Sequence, residues 1–97
     1  MTSLINDLNL LREMTPLGIR DLLVTEGVKG VRGDPDSCPI ARWLDHRHPR
    51  IHSSVSVLGI EIWDEGCMSE YPTPESVKDF MGVFDMGGYP EVDEESL

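Results

Sequence analysis

Two cysteines and three histidines are the residues of this chain best suited to chemistry. Cys38 opens a helical run through Pro39, where the positive end of a helix dipole lowers a thiol's pKa and favours the thiolate. A thiol-dependent enzyme would also need a base, and the nearest in sequence is His46, two turns along the same helix. Those side chains do not meet without a long bend, so Cys38 is better explained as a small buried residue packing the helix start. A zinc set would have to be drawn from Cys38, His46, His48, His52 and Cys67. His48 and His52 have the spacing of one ligand pair, but neither cysteine has a thiol partner nearby, whereas structural zinc sites bring close pairs. The run His46-Arg47-His48-Pro49-Arg50 is more simply a polar helix end, its cations matched to the C-terminal dipole. No catalytic residue, metal or cofactor is expected.

Arg32, Arg42, Arg47, His48 and Arg50 would be the basic patch of a nucleic-acid-binding surface. Asp34, Asp36 and Asp45 lie close to them in sequence, which predicts a solvated face of mixed charge. The helical stretches 15–26 and 38–46 are separated by a long segment containing glycine and proline, unlike the short turn of a helix-turn-helix. No nucleotide-binding or nucleophile-elbow pattern is present.

The acids are the more unusual feature. Residues 51–97 carry Glu61, Asp64, Glu65, Glu70, Glu75, Asp79, Asp85 and an acidic terminus against one base, Lys78; all of the net charge of −10 falls there. Such a field steers association with a basic surface and counts against direct nucleic-acid or anionic-membrane binding. A DNA mimic sets its acids on regular faces; here Asp79 lies on the outer side of a helix and the others are expected in loops. Trp63, beside Asp64 and Glu65, is an aromatic anchor of the kind that dominates protein interfaces, and Tyr71 would extend the patch.

The elements that must carry these groups follow from caps and periodicity. Ser3 caps a first helix with Leu4, Leu8 and Leu11 on one stripe; Ile5, Leu10 and Met14 widen that stripe beyond one side. So broad an apolar surface needs cover, either within the domain or from a second copy of the chain as a homodimer. Thr15-Pro16 restarts the chain as a helix through Glu26, with Ile19, Leu22 and Leu23 inward and Gly27 as its stop. Ser37 or Cys38 caps a third helix presenting Ile40, Ala41, Trp43 and Leu44, which Pro49 ends. The segment SVSVLGIEIW is a hairpin turning at Leu58-Gly59, pairing Val57 with Ile60 and Val55 with Ile62 on one face. Thr73-Pro74-Glu75 opens a last helix in which Val77, Phe80, Met81 and Phe84 keep a clean helical period.

The expected fold is therefore α+β: three N-terminal helices, a two-stranded β-hairpin and a closing C-terminal helix around one small core. Its 97 residues make a single domain (1–97), with Tyr89-Pro90 folding back and 91–97 an acidic, frayed tail. No membrane span or signal peptide is evident, so a cytoplasmic location with reduced thiols is expected.

Three runs carry a resemblance: LLVTEGVKGVRGDPDSCPIARWL, SVSVLGIEIWD and TPESVKDFMGVFDMGGYPEV. Through Gly27, Cys38, Pro39, Ala41, Trp43, Leu44, Phe84, Asp85, Gly88 and Pro90 the chain resembles small uncharacterised proteins of actinobacteria and their bacteriophages. The resemblance implies a bacterial host cytoplasm and carries no activity with it. Residues 1–14 lie outside it, as an added N-terminal helix. Size, acidity and resemblance together lead to a non-enzymatic protein of phage or prophage origin that binds and modulates a host protein with a basic surface. The partner contact would be made by Trp63, Asp64, Glu65 and Tyr71. The alternatives are an acidic inhibitor or DNA mimic acting on a nucleic-acid-binding protein, and a small thiol enzyme using Cys38.

Overall fold

Among the described residues, three of the four helices begin where a side chain takes up a free backbone N–H, as a helix start requires. A computed structural model of the chain describes residues 3–95; Met1, Thr2, Ser96 and Leu97, the outermost parts of the expected first segment and tail, lie outside the described residues. Helix α1 (Leu4–Glu13) is capped by Ser3, whose hydroxyl accepts the Asn6 N–H at 3.2 Å. Helix α2 (Pro16–Glu26) is capped by Thr15 at 3.1 Å from the Gly18 N–H and stops at Gly27 in the left-handed conformation. Helix α3 (Pro39–Arg47) is capped by sulfur: Cys38 Sγ accepts the Ala41 N–H at 3.4 Å. Helix α4 (Glu75–Asp85) has no side-chain cap. Thr73, expected in that role, instead donates its hydroxyl to the Ser56 carbonyl at 2.6 Å, fastening α4's start to the sheet.

The sheet has three antiparallel strands, not the two expected: β1 (Ile51–Ser56), β2 (Gly59–Asp64) and β3 (Cys67–Tyr71), in that order. Its first turn falls at Val57-Leu58, one residue earlier than expected, so Val55 pairs with Ile60 and Ser53 with Ile62. Val57 consequently leaves the core and is 53% exposed. Ser53 takes the inward place at low cost because its hydroxyl bonds the Ala41 carbonyl at 3.0 Å and Asp45 at 2.7 Å. The second turn, Glu65-Gly66, has positive φ at both residues, the twist-matched geometry of a tight hairpin.

The core joins Leu8 and Leu11 of α1, Ile19 and Leu23 of α2, and Ile40, Trp43 and Leu44 of α3. Val55, Ile60 and Ile62 of the sheet and Val77, Phe80, Met81 and Phe84 of α4 complete it, with Leu22 only partly buried against it. Helix α4 packs on α1 and α2, while α3 lies against β1. Tyr89 folds back and stacks on Phe80 at 4.9 Å between ring centroids.

The segment expected as a frayed tail is docked over its described part. A single 3₁₀ turn (Pro90–Val92) buries Val92, and Gly30 exchanges backbone bonds with Val92 and Glu94 at 2.9 and 2.8 Å. Gly30 is needed there, since a Cβ would overlap the Cys38–Pro39 backbone. Arg20, Arg32 and Arg42 pair with Glu91, Asp93 and Glu94.

Candidate functional site

The groups suited to chemistry are scattered rather than gathered. Cys38 is buried, and burial pushes its thiol up to about 11, the reverse of what a nucleophile needs. Cys67 is exposed at the start of β3. His46 is exposed on α3, and His52 lies on the sheet beside Trp63 with ring centroids 5.7 Å apart. Among the described residues no three of His, Cys, Asp and Glu stand close enough to hold a metal ion. No helix among them is long and apolar enough to cross a membrane.

One charged cluster was not legible beforehand. Asp7 of α1 is 1% exposed and receives Arg47 through two bonds, Nε to Oδ2 at 2.9 Å and Nη2 to Oδ1 at 3.2 Å. His48 Nε2 also meets Oδ2, at 2.7 Å. The Arg47 guanidinium lies 5.0 Å over the Trp43 ring, and Trp43 donates its indole N–H to Glu26 at 3.0 Å. The Asp7 hydrogen bond drives the Arg47 pKa further up. The cluster therefore clamps α1, α2 and α3 together through fixed charges. It borders a cleft of about 540 Å³ that His48 and Arg50 share with Asp64. No Ser, Thr or Cys lines that cleft among the described residues, so His48 has no hydroxyl or thiol there to activate.

Of the expected basic patch, Arg32, Arg42, Arg47 and His48 are matched by acids other than Asp34, Asp36 and Asp45, while Arg50 has no ion-pair partner among the described residues. Arg32 meets Asp93, Arg42 meets Glu94, and Arg47 meets Asp7 and Glu26. The Arg42 hydrogen bond holds the Glu94 carboxyl below the usual range. The acids of β2 and β3 are among those left without an ion-pair partner among the described residues.

These acids lie on strands rather than in loops. Strand pairing sets two rows across the outer face of the sheet: His52, Trp63 and Met68 in one, Ser54, Glu61 and Glu70 in the next. Trp63 is 36% exposed and Met68 50%. Glu61 and Glu70 stand directly opposite each other, and neither has an ion-pair partner among the described residues. Like charges facing across a ladder disfavour it, and the register makes Glu61 and Glu70 such a pair. Beside it lies a shallow cleft of about 240 Å³ lined by Leu58, Gly59 and the two carboxylates.

The four residues expected to make the partner contact are only partly brought together. Trp63 is on the outer face; Asp64 is exposed at the end of β2, and Glu65 follows it in the turn. Tyr71 is not in a loop beside Trp63. It ends β3 opposite Ile60, half-buried against the core on the other face of the sheet. Met68, His52, Glu61 and Glu70 take the place expected of it. The dipeptide Glu65-Gly66 was the available signal: read as a tight turn, it predicts β3 and sets Met68 across from Trp63. No family model, curated protein or solved structure matches the chain.

Proposed function

We propose that this protein is a non-enzymatic binding module whose outer sheet face docks a basic surface of a partner protein. The observation that carries it is the Glu61–Glu70 pair, unfavourable in the free molecule and relieved by a cation, set beside the exposed Trp63–Met68 row. The cleft next to the pair suits one lysine or arginine: its carbon stem lies over Leu58 and Gly59 while its head reaches the carboxylates. Trp63 supplies the apolar anchor and the acids supply rate and orientation. The resemblance to actinobacterial and phage proteins makes a bacterial host protein the partner to look for, with a nucleic-acid-binding protein as its narrower form, since such proteins carry basic surfaces.

The test is capture from a bacterial lysate with quantitative mass spectrometry, comparing the natural chain with Trp63→Ala and with Glu61→Gln/Glu70→Gln. A partner with a basic surface, retained by the natural chain and lost at least tenfold by both variants, is expected. Equal recovery by all three would place the contact elsewhere.

A second surface has its own observation. Ile5 and Leu10 of α1 remain 49% and 42% exposed, so part of the broad apolar helix is uncovered, as self-association through α1 requires. Light scattering on the natural chain and on Ile5→Lys/Leu10→Lys separates a homodimer from a monomer.

A further inference from the structure

The sheet has one sealed edge and one open edge. In a two-residue hairpin the residues flanking the loop form a hydrogen-bonded pair, and bonded and non-bonded pairs then alternate along the ladder. Counted from Ser56 and Gly59, that alternation turns the N–H groups of Ile51, Ser53 and Val55 away from β2. Each finds an acceptor: the His48 carbonyl at 3.0 Å, Asp45 Oδ1 at 2.9 Å and the Pro35 carbonyl at 3.0 Å. Counted from Asp64 and Cys67, the same alternation turns the N–H and C=O groups of Met68 and Glu70 outward from β3. No backbone group among the described residues bonds to them. An exposed strand edge is ordinarily guarded by charge, proline, a bulge or shortness. Strand β3 is short and carries one charge, Glu70, with no lysine, proline or bulge, so its guard repels acids and admits a base.

We propose that β3 is completed by an extended basic segment of the partner protein, which pairs with Met68 and Glu70 as a fourth, antiparallel strand. This rests on the docking reading above and gives it a binding mode. The register sets the segment's chemistry. The residue opposite Glu70 extends the Ser54–Glu61–Glu70 row, where a lysine or arginine meets both carboxylates. Two residues along, the position opposite Met68 extends the His52–Trp63–Met68 row and takes an apolar side chain. A basic residue and an apolar residue at i and i+2 are thus the recognition pattern. Charge decides against a second copy of the chain at this edge, because β3 carries Glu70 and no base to meet it.

The experiment titrates the ¹⁵N-labelled full chain with an acetylated, amidated peptide Thr-Lys-Thr-Val-Thr-Lys-Thr. A second peptide of the same sequence is N-methylated at its lysine and valine amides, which removes the donors that would face β3 and keeps every side chain. The proposal expects at least tenfold slower exchange of the Met68 and Glu70 amides with the first peptide, and at least tenfold weaker binding of the second. Equal binding of both peptides, unchanged exchange at those amides, or no binding at millimolar peptide overturns it. If N-methylation is silent while Trp63→Ala still weakens binding more than fivefold, the docking face stands and edge pairing falls. If Trp63→Ala is silent as well, both fall.

Discussion

Cys38 shows how position alters what a residue type can do. A helix start lowers a thiol's pKa only where the thiolate is solvated, and here burial outweighs the dipole, leaving the sulfur as cap and packing group. The raised value makes a prediction about pH. Ionisation begins near 9.0 in the unfolded chain but near 11 in the folded one, so the native state holds its proton longer. This contribution to stability is complete below pH 9.0 and is lost as pH rises through about 11. It amounts to roughly 2–3 kcal/mol. Denaturant melts between those pH values should show the decline, and Cys38→Ala should flatten it; the native protein should alkylate quickly at Cys67 alone. Asp7 makes the second prediction. Asp7→Ala leaves Arg47 and His48 facing an empty site and should lower stability by about 2–4 kcal/mol by the same melts at pH 7. Nothing local in the sequence joins Asp7 to Arg47: their meeting depends on where α1 docks. That is why the cluster was not legible, whereas the caps at Ser3, Thr15 and Cys38 were.

Elements were legible in proportion to how far their own residues determine them. Helices α1, α2 and α3 announce themselves through their caps and α4 through its apolar period, and Val77, Phe80, Met81 and Phe84 are buried as their spacing requires. Phe80→Ala should therefore lower stability by about 3–5 kcal/mol, readable as a lost or greatly reduced melting temperature. Strand β3 lacks an apolar alternation because neither of its faces forms much of the core, so only its turn betrayed it. The hairpin register turned on Ser53 finding partners on α3, a tertiary circumstance that hydrophobicity does not encode. The terminal segment looked frayed because its acids were counted apart from the arginines that hold them. The outer face makes its own prediction at this scale. Glu70→Lys turns a like-charge pair into an attractive one and should raise the melting temperature of the free protein by about 2–4 °C, while weakening the partner contact. A variant more stable yet less able to bind marks the pair as kept for recognition.

At the scale of the whole molecule, charge −10 is divided by the fold rather than by the chain's halves. The terminal acids Glu91, Asp93 and Glu94 are held by Arg20, Arg32 and Arg42, so on the outer face of the sheet the field that reaches a partner comes from Glu61 and Glu70. Association driven by that field should slow as salt passes about 0.15 M, where the screening length is about 8 Å, while dissociation, governed by Trp63, should change little. The most direct measurement is an amide exchange map of the full chain, free and with its captured partner. Added protection concentrated at the open edge, at the outward amides of Met68 and Glu70, is the predicted result. Protection that leaves those residues unchanged and falls on α1 or on the Arg47–His48–Arg50 cleft would contradict the account.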